Sequence, residues 1–129
     1  MWLSNTPYTR RMQALLMAVI VSEVLLILHT YGHSADLYWS YWWFDILVHS
    51  LGGLSLGLLA AVFIKRKHVA LMYAGIALCI FGWEVFEVEV IGINPAGMHY
   101  AVDTVVDVLV GFAAASVAVW LYRSGAASA

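Results

Sequence analysis

Four apolar stretches, over about residues 12–29, 44–64, 69–90 and 103–122, alternate with short polar segments along the chain. Each is close to the roughly 20 residues that carry an α-helix across a hydrocarbon core of about 30 Å. Between the second and third, Lys65, Arg66, Lys67 and His68 leave so short a connection that the two helices must form an antiparallel hairpin. Between the first and second, the segment TYGHSADLYWSYWW carries Tyr38, Trp39, Tyr41, Trp42 and Trp43. Amphipathic rings of this kind settle at the headgroup level, so a short interfacial helix is expected there. Asn94, Pro95 and Gly97 supply turn chemistry before the last stretch, and the Ser, Gly and Ala tail is expected to be disordered. The pattern predicts an all-α membrane protein of four antiparallel transmembrane helices, a single four-span domain over residues 1–129.

Composition agrees with that reading and narrows it. At 129 residues with 64% hydrophobic and 11% charged content, a soluble fold would expose too much apolar surface. Arg10 and Arg11 before the first span resemble the charged start of a signal peptide, but the apolar run is too long for one and no A-x-A-like site follows, so an uncleaved anchor is expected. The one cysteine, Cys79, excludes an internal disulfide. No nucleotide-phosphate loop and no serine or cysteine nucleophile motif is present, and nothing points to nucleic acid.

The distribution of charge carries more than its total of −2. In a four-span arrangement all six basic residues, Arg10, Arg11, Lys65, Arg66, Lys67 and Arg123, fall on one side, which the positive-inside rule makes cytoplasmic. Both termini are then expected in the cytoplasm. All eight acidic residues fall in the opposite half, with His29, His33, His49 and His99.

Several of those acidic groups lie where lipid would be. Asp45 and His49 are four apart, as are Asp103 and Asp107, and Glu84 and Glu87 are three apart, so each pair shares a helix face. Glu23 lies inside the first span at a similar expected depth. Steps of four continue from His49 to Gly53 and Gly57, and from Asp107 to Gly111 and Ala115, small-residue stripes that let helix backbones approach closely and turn the polar groups inward. Ala70, Ala74 and Ala77 are expected to do the same beside Glu84. Carboxylates and a histidine facing one another in a bundle form the usual protein site for iron, manganese or zinc. The candidate ligands of a divalent metal ion are Glu23, Asp45, His49, Glu84, Glu87, Asp103 and Asp107, with Glu84 or Glu87 as a possible catalytic base. Plainer roles stand beside this: Asp103 and Asp45 as helix caps, Asp36 and Glu89 as solvated groups, and His29, His33 and His99 as interfacial residues.

The order D-x-x-x-H followed by LGG, then W-E-x-x-E, then D-T-x-x-D with a glycine four residues on, resembles the VanZ-like group of bacterial membrane proteins, in particular its YjdF-like branch. The likeness covers about Phe44 to Ala115. It implies a small multi-pass protein of the bacterial inner membrane whose polar motif residues match Asp45, His49, Glu84, Glu87, Asp103 and Asp107. In the branch associated with teicoplanin resistance the first motif commonly reads D-K-x-x-H, the second E-x-x-Q and the third D-x-x-x-N. This chain has Ile46, Glu87 and Asp107 at the differing positions, a more acidic set that favours cation binding over a shared resistance role.

Three functions stay open on this evidence. The first is a metal site acting on a membrane lipid or lipid-linked substrate, the second a proton or cation path, and the third an accessory subunit of a larger membrane complex; a homo-oligomer is open as a partner state. A purely structural network of shared protons is the alternative to all three.

Overall fold

The computed structural model describes residues 7–91 and 98–124, and among these every regular element is helical. Helix α1 spans Pro7–Ser34, α2 Leu37–Ser40, α3 Trp42–Phe63 and α4 Val69–Phe86; a π-helical turn, Glu87–Ile91, extends α4, and α5 spans Met98–Ser124. Four segments, Tyr8–Ser34, Trp42–Phe63, Val69–Glu89 and His99–Ser124, are long and apolar enough to cross a membrane. Their outward faces carry exposed Leu16, Ile27, Leu71, Leu78 and Leu109, whereas small side chains such as Ala14, Ala18, Ala115 and Ala118 are buried. This arrangement suits lipid, in which helices gain nothing by hiding leucines from their surroundings and gain by close backbone packing.

Helix α3 is central and packs on α1, α4 and α5. Its contact with α5 follows from the two small-residue stripes. A Cβ at Gly53 would strike the Gly111 carbonyl, and one at Gly57 would strike the carbonyl of Ala115, so only glycine permits this approach. Helix α4 packs differently from the alanine stripe expected of it. Ala70 and Ala74 are exposed, and the buried positions are Met72, Ile76, Ile80 and Glu84, one every fourth residue. The physical reason is distance: α3 and α5 already touch backbone to backbone, so α4 reaches the pair through bulky side chains. Met72, Ile76 and Ile80 form with Ala115 and Val119 the apolar core of the bundle.

The basic residues meet at one end. The Arg11 guanidinium donates to the Val62 carbonyl at 2.7 Å, and that of Arg66 donates to the Tyr122 carbonyl at 2.8 Å while lying 5.3 Å from the Tyr122 ring centre. These are carbonyls at helix C-termini, which lack helical partners and favour cations. At the other end the chain leaves α1, turns at Asp36 with a left-handed φ of 52°, which aspartate tolerates, and enters α2. The short helix expected in the aromatic segment is therefore present.

Two boundaries differ from the expected spans. Helix α1 continues past His29 to Ser34, and α5 begins at Met98 instead of Asp103. Backbone hydrogen bonding does not stop at the edge of an apolar run, and Thr30, His33 and Ser34 extend the helix without breaking it. Asp103 consequently lies in the second turn of α5 and is not its cap, while Asp45 does lie in the first turn of α3, where a negative charge faces free amides. The turn expected at Asn94, Pro95 and Gly97 and the tail after Ser124 lie outside the described residues.

Candidate metal centre

The polar site grows out of the α3/α5 contact. Gly53 and Gly111 lie one turn beyond His49 and Asp107 on their respective helices, so the backbone approach that glycine allows carries those two side chains against each other. Nε2 of His49 is 3.7 Å from Oδ2 of Asp107 and 3.4 Å from Oδ1 of Asp45, which precedes it by one turn on α3. The Asp107 side chain is only 4% exposed.

Helix α4 brings the remaining groups. Glu84 continues the buried stripe through Met72, Ile76 and Ile80, and Glu87 follows at the start of the π-helical turn. Such turns widen a helix locally and are frequent at functional sites. Asp45, His49 and Asp107 form one cluster and His49, Glu84 and Glu87 a second, in each of which one ligand atom per residue lies within 4.8 Å of the others. His49 is common to both. Glu84 is 7% exposed, and its buried carboxylate oxygens have at best the equally buried Thr104 hydroxyl as a hydrogen-bond donor. A carboxylate deprived of water and of most hydrogen bonds is costly, of order 1–3 kcal/mol or more for a charged group.

Of the seven expected ligands, five are brought together and two are not. Glu23 is exposed on α1 and Asp103 is exposed on α5, and neither belongs to a cluster. Glu23 follows Ser22, which faces inward and shares a 2.6 Å hydrogen bond with Ser55; one residue of helix turns the next side chain by about 100°. In place of Glu23, α1 contributes His29, which sequence reasoning had at the membrane interface. The spacing of Ser22, Leu25, Leu26 and His29 is that of a single helix face, and this was the available clue.

A ring of aromatic contacts closes the site end. His29 Nδ1 and the Tyr38 hydroxyl of α2 are 2.7 Å apart, and the His29 and Trp83 ring centres 5.5 Å apart. Burial, with the carboxylates of Asp45 and Glu87 nearby, holds the Tyr38 phenol above its ordinary range, so it keeps its proton and can donate it to His29. Trp83 in turn donates through Nε1 to Oε1 of Glu87 at 2.7 Å. Next to these groups is a cavity of about 410 Å³, lined by α1, α3 and α4 and reaching His49 and Asp107 at one end.

No protein-family model, curated protein or solved structure matches this chain, so its residues and their geometry carry the functional reading.

Proposed function

We propose that Asp45, His49, Glu84, Glu87 and Asp107 bind a divalent metal ion, iron, manganese or zinc, in a multi-pass protein of the bacterial inner membrane. The single observation behind this is Glu84, a buried carboxylate that has at best the Thr104 hydroxyl as a donor and lies in a cluster of like groups around one histidine. A cation removes the cost of that arrangement. The spacing is suitable as well: bonds of about 2.0–2.2 Å to one ion leave neighbouring ligand atoms about 3–3.6 Å apart, close to the 3.4 and 3.7 Å around His49 Nε2. Four carboxylates and one imidazole suit iron, manganese or zinc better than a soft, thiolate-seeking metal.

In this reading the site lies in the outer leaflet, opposite the basic end, and acts on a lipid or lipid-linked substrate. A bound ion would supply Lewis acidity to a coordinated water, and Glu84 or Glu87, whichever lay outside its coordination, would serve as general base. The motif order that resembles the VanZ-like group draws on these five residues and on a sixth, Asp103, which is exposed and outside both clusters. Against conduction stands the core of Met72, Ile76, Ile80, Ala115 and Val119, which offers no ionisable group towards the basic end.

Metal analysis of the protein purified without chelator tests this. Stoichiometric metal in the wild type and its loss in Glu84→Ala are expected. A metal-free wild type that takes up none of the three ions on titration removes the proposal.

A further inference from the structure

Helices α1 and α4 both pack on α3 but not along each other; their rings meet at His29 and Trp83, and below that contact they part. The cavity of about 410 Å³ occupies this gap, with α3 as its floor. Its volume is within the range of about 300–1,000 Å³ usual for ligand sites. Leu25, Leu26, Val48, Leu56 and Ile80 line its length, and its polar groups are at the two ends: the Ser22–Ser55 hydrogen bond at one, and His29, His49 and Asp107 at the other. Leu26 is 59% exposed and Cys79 is also exposed, although both lie inside the spans. The opening between them therefore faces lipid sideways, and the surroundings available to fill it are hydrocarbon.

The polar end selects among lipids. Asp107 and His49 line this end, with Asp45, Glu84 and Glu87 grouped around the same histidine, while every lysine and arginine of the chain lies elsewhere, at or near the opposite end. An anionic head group meets no lysine or arginine here, whereas an amine-bearing head group meets the Asp107 carboxylate at the end of the groove.

We infer that this groove receives one hydrocarbon chain of an amine-headed phospholipid, which enters sideways between α1 and α4 and brings its head group to the His49 and Asp107 end. The inference names the substrate class of the proposed metal site and depends on that reading for what happens at the head group; occupancy of the groove is judged separately.

The test uses the full chain in vesicles of ethanolamine-headed and glycerol-headed phospholipid, each doped with a chain-photoactivatable analogue of one head group, with adducts mapped by mass spectrometry. Adducts of the ethanolamine analogue should concentrate at Leu26 and Cys79, at several-fold the yield of the glycerol analogue, and fall several-fold in Cys79→Trp or, if that variant does not fold, Leu26→Trp. Metal content of the same variant should be unchanged. Groove adducts in a protein that binds no metal support the lipid site and remove the metal reading. Adducts spread evenly over Leu16, Leu78 and Leu109 overturn the inference, as does equal yield for the two head groups. So does a Cys79–Cys79 disulfide dimer formed in dilute vesicles, which would mean that a second copy covers the groove.

Discussion

The indole Nε1 of Trp83 donates to Glu87 one turn further along the helix, at 2.7 Å, and the face of the same indole meets His29. Trp83 thus ties a candidate metal ligand to the aromatic contacts that close the site. Partners of this kind fix the orientation of a ligand, and removing them typically costs about 10–100-fold in metal affinity.

Trp83→Phe keeps a ring against His29 and deletes only the donor. Calorimetric titration with manganese or zinc should give an affinity lower by about 10–100-fold, with thermal stability of the metal-free protein little changed. An affinity equal to wild type would mean that Glu87 is not positioned through Trp83.

The α3/α5 contact makes a prediction of its own. At Gly53 the obstacle to a Cβ is the Gly111 backbone, which cannot swing aside, whereas nothing lies within 4 Å of a Cβ at Gly75 or Gly82. Gly53→Ala should therefore destabilise the protein by about 1–3 kcal/mol, the usual cost of overpacking, and loosen the site one turn away. Gly75→Ala and Gly82→Ala should be neutral or stabilising in the same unfolding measurement.

Glu84 should show opposite effects on stability and function. Glu84→Leu replaces a buried carboxylate that has at best one neutral donor, Thr104, by an apolar side chain of similar bulk. The metal-free variant is expected to be more stable than the metal-free wild type, by order of 1–3 kcal/mol, and to gain nothing on addition of metal. A metal-free Glu84→Leu protein less stable than wild type would show that this carboxyl has a structural role.

The ligand set can be divided by isosteric substitution. Asp107→Asn and His49→Gln should abolish metal binding, while Glu23→Gln and Asp103→Asn should leave its stoichiometry intact, because both side chains are exposed and neither belongs to a ligand cluster. Loss of metal in Glu23→Gln would require α1 to be rotated from the arrangement described above.

This division marks how far the sequence could be read. Span number and the α3/α4 hairpin were legible because apolar runs of membrane length and the short Lys65–His68 connection leave few alternatives. The pairing of Asp45 with His49 was legible because a spacing of four fixes a shared face, and Gly53, Gly57, Gly111 and Ala115 indicated which faces meet. Glu23 was not resolved, since a lone residue in an apolar helix does not reveal which side packs; Asp103 was not, since its spacing from Asp107 fixes the shared face but not how far towards the helix end that face stays buried. The depth argument for Glu23 also took α1 to end at His29, whereas the helix runs to Ser34. The role of Met72, Ile76 and Ile80 over the alanines of α4 depended on the distance left between helices, which no local pattern encodes.

The central claim is that side chains from three helices hold one ion through His49. Pulsed electron paramagnetic resonance of the manganese-loaded protein tests it most directly. The account predicts one tightly bound ion with nitrogen coupling from a single imidazole, which disappears in His49→Gln. Tightly bound manganese without that coupling, or with a coupling that survives His49→Gln, would contradict it.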